Sequence, residues 1–237
     1  MDIDDILQEF ETATSRKETK KTPTTLYDEL VVAMVNERMA PELLPFKHEL
    51  LQKVLAQISN QQQFLLDSHE YGDVNAESGV VTGDFKLQLM IIETDIERIN
   101  YLIRLYLRTR LSKIDKFTIF YINETADEDP DSKDRLLSSQ EQKYMHQHFK
   151  ILTRLYNNCF LKRLPHTLTL LDDTSGGQSM IVEPDLNQPV FVKSITDKPI
   201  TISLGEDDEL DLVNDGIYVV KYKLVRDYIS IGDVVMI

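Results

Sequence analysis

The sequence predicts an α+β chain: an N-terminal all-α bundle of about five helices, then a small β-rich domain at the C-terminus. Up to Pro165 the apolar residues recur at helical spacing, and after Leu26 glycine is confined to one stretch. Beyond Pro165, short apolar runs alternate with turn signals. Between the two lies LDDTSGGQS, where Gly176-Gly177 among Asp, Ser and Thr supports neither period. The expected organisation is a peptide and flexible linker over 1–25, a helical domain over 26–165, a linker over 166–180 and the β-rich domain over 181–237.

A first helix is expected over Leu26–Arg38, with Leu30, Val31 and Met34 facing inward. It ends before Pro41 and Pro45, which cannot continue a hydrogen-bonded ladder. A second runs from about Phe46 to His69, stacking Leu51, Val54, Leu55, Ile58, Gln62 and Leu65 on one side. Three glycines among small polar residues make Gly72–Gly83 a loop. In the third helix, Leu89, Ile92, Ile96, Ile99, Ile103 and Tyr106 follow a 3-4-3-4-3 spacing and share one stripe. Ile91, Leu102 and Leu105 widen it, so burial against more than one neighbour is expected. The pattern continues through Leu111, Ile114 and Phe117 to Tyr121, and the acidic segment Asn123–Lys133 breaks it. A last helix spans about Ser139–Leu164, opened by a capping box of Ser138 or Ser139 with Glu141 or Gln142. The expected strands are Val190–Ile195, Pro199–Leu204, Leu210–Val213, Ile217–Val225 and Val234–Ile237, with a tight turn at Asn214-Asp215-Gly216. The apolar terminal strand should be paired and buried, in this chain or against a partner.

Among 237 residues, 26 Lys+Arg face 40 Asp+Glu, a formal charge of −14 that argues against the whole surface gripping duplex DNA. Residues 166–237 hold 13 acids and 5 bases, a net of −8, which makes the C-terminal part the more acidic per residue. One cysteine, Cys159, forbids an intrachain disulfide and points to a reducing compartment. No apolar run is long enough to cross a membrane, and the acidic start is unlike a signal peptide, so no membrane partner is expected.

Chemistry-bearing motifs return little. Neither GxGxxG nor GxxxxGK occurs, nor GxSxG, HExxH or CxxC, so no cofactor and no catalytic constellation is expected. His146 and His148, two apart on a helix, point away from each other. Asp127, Asp129 and Asp131 mimic the start of a calcium loop, yet Ser132 stands where glycine is required. Cys159 is expected to be a buried structural thiol beside Tyr156 and Phe160.

Two features rise above that background. A basic stripe follows the third helix: Arg98, Arg104, Arg108, Arg110, Lys113 and Lys116. Its cations pair with acids of a neighbouring subunit, simply complement the helix C-terminus, or contact nucleic acid. At the N-terminus, Ile3, Ile6, Leu7 and Phe10 sit at i, i+3, i+4 and i+7 among Asp2, Asp4, Asp5 and Glu9. That face, ahead of the polar Thr12–Thr25, reads as a docking peptide of the helix-in-groove kind or as an extension folding back on the domain.

VNERMAPELLPF (Val35–Phe46), IETDIERINYLIRLYLRTRLSKIDKF (Ile92–Phe117) and GIYVVKYKLVRDYI (Gly216–Ile229) together resemble the Sld-five branch of the GINS family. The N-terminal IDDIL (Ile3–Leu7) is similar to the fungal members' peptide for the trimeric replisome hub that tethers polymerase alpha. The resemblance implies a non-enzymatic subunit of a heterotetramer with three sister GINS subunits, acting in the nucleus. That assembly would join the MCM hexamer and the Cdc-forty-five protein in the active replicative helicase. It further implies that Ile3, Asp4, Asp5, Ile6, Leu7 and Phe10 dock on the hub. Leu89, Ile92, Ile96, Ile99, Ile103 and Tyr106 would form a helical subunit interface. Tyr218, Val220, Tyr222, Val235 and Ile237 would form a second on the β domain. DNA contact would be indirect or weak; the alternative is a DNA-binding accessory protein acting through the Arg98–Lys116 stripe.

Overall fold

The computed structural model describes residues 25–75, 83–126, 135–165, 181–196, 199–204 and 209–237, with side chains of 69–84 left aside. The docking-peptide residues Ile3 to Phe10, the expected linker 166–180 and the acids Asp127, Asp129 and Asp131 lie outside the described residues.

Helix α1 (Leu26–Met39) opens on a capping box. The Thr25 hydroxyl accepts the Asp28 N–H at 3.2 Å, and the Asp28 carboxylate accepts the Thr25 N–H at 3.1 Å. The Thr25 hydroxyl, donating to the same carboxylate at 2.7 Å, and then the Thr25 N–H hold the Asp28 carboxyl below its ordinary range. Helix α2 (His48–Asn75) begins once Pro45 is past and runs further than the sequence suggested. Helix α3 (Gly83–Lys116), 34 residues and so roughly 50 Å long, is the axis of the helical part. Against it α1 and α2 close a core of Leu30, Met34, Leu51, Val54, Ile58, Ile96, Ile103 and Tyr106. A bend falls at Phe117, where the helix breaks (φ −118°, ψ 33°) and α4 (Thr118–Glu124) begins. Helix α5 (Ser139–Cys159) carries the expected cap as Ser138 with Glu141. Its first half seals a second cluster of Leu43, Ile114, Phe117, Tyr121, Leu137 and Met145. A 3-10 turn over Leu161–Arg163 follows it.

The C-terminal part contains β1 (Pro189–Ser194), β2 (Ile200–Ser203), β3 (Glu209–Leu212), β4 (Ile217–Lys221), helix α6 (Tyr222–Ile231) and β5 (Val234–Met236). An antiparallel sheet runs in the order β4-β1-β5, and β2 with β3 forms a separate hairpin. Asp215 takes φ 62° in the turn before β4. A Cβ on the next residue, Gly216, would lie 2.6 Å from the Tyr218 ring, so any side chain there would have to displace that ring.

One expected strand needs correcting. Ile217–Val225 stops being strand at Lys221, and Tyr222 is the first residue of α6. Tyr222, Val225 and Ile229, at i, i+3 and i+7, put one face inward, and Gly232 closes the helix in the left-handed conformation at φ 92°. The β-branched pair Val219-Val220 masks this switch of period in the sequence.

The two parts are joined. The core around Val192, Leu212, Tyr222, Val225 and Val234 takes in Ala40 and packs against Leu44, both from the loop after α1. The Met236 N–H also donates to Asn36 Oδ1 at 2.8 Å.

Candidate functional site

The loop between α1 and α2 is the hub of the polar network. On α1, Leu30, Met34 and Glu37 form the buried stripe, so a carboxylate sits where the period calls for an apolar side chain. Facing it from α3 is Arg110, 0% exposed. Its Nε donates to Glu141 Oε1 at 2.7 Å and its Nη1 to Glu37 Oε2 at 2.9 Å. The carbonyls of Leu44 (2.6 Å) and Leu136 (2.7 Å) accept two further bonds. The guanidinium also lies over the rings of Phe46 and Tyr106, 5.1 and 5.6 Å from their centroids. One turn on, Lys113 donates to Glu37 Oε1 and to the Glu42 carbonyl, each at 2.7 Å, and to the Glu37 carbonyl.

Glu42 extends the network into the C-terminal part. Its Oε1 accepts the Tyr222 hydroxyl at 2.8 Å and Arg226 Nε at 2.6 Å. Tyr121 closes the near side, its hydroxyl accepting the Leu43 N–H at 2.8 Å. Burial pushes the Glu37 carboxyl up, against the pull of Lys113 and Arg110. Burial acts to lower Arg110, but its bond to Glu141 and the charge of Glu37 outweigh that and raise it. The Tyr106 hydroxyl is pushed up to about 12 by burial, and burial raises Tyr121 and Tyr222 as well. A network whose charges are occupied by one another clasps segments together. Among the described residues no cluster of His, Cys, Asp and Glu is grouped to hold a metal ion.

This geometry corrects the basic stripe. Arg110 is enclosed and Lys113 nearly so, both paired with acids of their own chain. Arg104, Arg108 and Lys116 remain exposed, while Arg98 pairs with Asp95 at 3.4 Å. The sequence showed cations four apart on one helix but could not show an acid 73 positions away turned toward one of them.

The expected interface residues are corrected too. Leu89, Ile96, Ile103 and Tyr106 are buried within the chain, and Ile92 and Ile99 are half-buried against the same core. The face of α3 left open among the described residues lies beside them: Leu87, Met90, Ile91 and Tyr101 are all more than half exposed. In the C-terminal part, Val220 on β4 and Tyr222 on α6 are core, Tyr218 and Val235 are half-buried, and only Ile237 of that set is open. The outward sheet face is Phe191, Ile217, Val219 and Ile237, with Phe191 opposite Val219 in register. Choosing Val220 rather than Val219 is a one-residue phase error, which inverts a strand.

Cys159 is exposed, contrary to expectation. Helix α5 is buried only through Glu141 and Met145 near its start, and Ile151, Leu155 and Phe160 lie open beyond them. His148 faces Thr118 (3.1 Å) and stacks on Tyr144, whereas His146 points to solvent. No helix among the described residues is long and apolar enough to cross a membrane.

The surface therefore offers separate apolar faces on α3, on the far half of α5 and on the sheet, arranged around a closed polar clasp. Comparison with known proteins fits such a surface. The family model for the GINS complex protein helical bundle domain matches residues 46–160, and that for the DNA replication complex GINS protein SLD5 C-terminus matches residues 184–237. A Debaryomyces hansenii protein named DNA replication complex GINS protein SLD5 is 67% identical, covering 100% of this chain and 98% of its own length. Proteins of the same name from Yarrowia lipolytica (37% identical, 88% of this chain and 75% of theirs) and Saccharomyces cerevisiae (33%, 89% and 80%) align as well.

Proposed function

From the premise that the chain belongs to the SLD5 family of DNA replication complex GINS proteins, we propose that it is a non-catalytic, nuclear subunit that assembles with three sister GINS subunits. Through them it joins the MCM hexamer and the Cdc-forty-five protein in the replicative helicase. Its N-terminal peptide, Ile3 to Phe10, docks on the trimeric hub that tethers polymerase alpha. One observation supports the assembly reading above others: large apolar side chains stand open on faces whose inner sides are already packed. Leu87, Met90 and Ile91 on α3 form one such group, and Phe191, Ile217 and Val219 on the sheet another. Patches of that kind, rimmed by polar residues, mark protein contacts.

The test is expression of the full chain alone and together with the three sister subunits. The expected result is a chain that aggregates alone and purifies as a stoichiometric four-subunit particle on co-expression. A soluble monomer that fails to co-purify with any sister would overturn the reading. The DNA-binding alternative through Arg98–Lys116 loses support, because Arg110 and Lys113 are committed to Glu37 and Glu141.

A further inference from the structure

Among the described residues, α5 carries an exposed basic face. Between Glu141 and Asp172 there is no acid at all, in a chain with 40 of them, while Lys143, Lys150, Arg154, Lys162 and Arg163 fall in that window. At 100° per residue, Lys143, Lys150 and Arg154 lie within about 40° of one another, with Gln147 and Asn157 about 20° to either side. All three cations are exposed, and none is ion-paired among the described residues. Lys162 continues the line, its Nζ 3.3 Å from Asn158 Oδ1. An open groove runs along this face, lined by Lys150, Thr153, Arg154, Asn157, Asn158 and Lys162. Acids that reach α5 do so elsewhere. Glu141 points inward to Arg110, and Asp115 meets the helix at Tyr144 and His148, about 80° or more around the helix from the cations.

We propose that this α5 face binds the phosphate backbone of a nucleic-acid strand. The chemistry is that of positioning rather than base reading: exposed ammonium and guanidinium groups interleaved with amide and hydroxyl donors, with no carboxylate on this face among the described residues. From Lys143 to Cys159 the stripe runs about 24 Å, the axial length of about seven phosphates on one strand. The exposed apolar residues Ile151 and Leu155 point about 60° or more away from Lys143, Lys150 and Arg154, so a sister subunit can cover those while these cations stay open. This inference goes beyond the subunit reading and needs neither the helicase nor the hub.

The test is fluorescence anisotropy of labelled single-stranded and duplex oligonucleotides, titrated with the co-expressed complex across a salt series. Replacing Lys150, Arg154 and Lys162 by alanine is expected to weaken binding at least tenfold at low salt. It should reduce the slope of log K against log salt by about 2–3. Replacing the exposed α3 cations Arg104 and Arg108 should leave both quantities unchanged. The larger loss, on the single-stranded or on the duplex probe, identifies the form bound. Equal binding by the triple variant and the parent overturns the proposal. So does displacement of the probe by polyglutamate of matched charge, which would assign the face to an acidic polypeptide. Loss of assembly in the triple variant also overturns it, because a sister subunit would then own the stripe.

Discussion

The hydroxyl of Tyr222 donates to Oε1 of Glu42 across 2.8 Å, joining residues 180 positions apart. Arg226, one turn further along α6, donates to the same oxygen at 2.6 Å. Glu42 leaves the helical part and Tyr222 opens α6, so one carboxylate oxygen fixes the C-terminal part to the bundle. The clasp lies within VNERMAPELLPF, which also supplies Asn36, Glu37, Leu43 and Leu44 to the network.

Removing that bond should be measurable. Tyr222→Phe is expected to cost about 1–3 kcal/mol, because the Glu42 carboxylate loses a buried donor. Combined with Glu42→Ala, the two losses should fall short of their sum by at least about 0.5 kcal/mol in urea denaturation. Strict additivity would show that the bond contributes nothing to docking.

Arg110→Ala should be far more severe, at about 3–5 kcal/mol, since Glu37 and Glu141 would stay buried without their cation. Arg110→Lys should recover only part of that loss. An ammonium cannot reproduce the planar fork shared among two carboxylates and two carbonyls. Thermal unfolding of the two variants beside the parent checks both statements.

Alkaline pH should weaken the fold. Tyr106, Tyr121 and Tyr222 all have pKa values raised by burial above the ordinary 10.0, Tyr106 to about 12. Above pH 10 the unfolded chain loses these protons while the folded chain keeps them, so the unfolded state binds fewer and stability falls as pH rises. The contribution is complete below pH 10, and for Tyr106 the decline ends near pH 12. Each tyrosine adds at most about 1.4 kcal/mol per pH unit to that decline. Lys113, lowered by burial, acts with the opposite sign, but only below its ordinary 10.5. Urea midpoints between pH 9 and 12 should trace the fall, and Tyr222→Phe should make it shallower.

Phe191→Thr with Val219→Thr should separate assembly from folding. Both side chains are more than half exposed and face each other across β1 and β4. Threonine keeps the strand preference, so stability should stay within about 0.5 kcal/mol per site. Gel filtration of the co-expressed subunits should nonetheless show the particle weakened or lost. An intact particle would place the interface elsewhere.

For the N-terminal peptide, Ile6→Ala with Leu7→Ala should abolish binding of the labelled peptide to the trimeric hub while the four-subunit particle still forms. Unchanged anisotropy on titration with the hub would refute the docking assignment.

The sequence by itself determined the fold class and narrowed the cap of α5 to Ser138 or Ser139, because helical period and cap chemistry are local. It also determined that Leu89, Ile96, Ile103 and Tyr106 share a stripe. What that stripe faces was decided only by the tertiary structure, since period reports a common side and not the identity of the partner. The same holds for Arg110, whose charge reads as surface until Glu37 and Glu141 are brought beside it from 73 and 31 positions away. Helix α6 was hidden because its strand-like lead-in outweighed a single helical face, and its burial depends on β5 and β2 packing over it. On α5 the cations were legible one by one. Their standing as an acid-free face emerged only when the fold turned Glu141 inward and held Asp115 on another side.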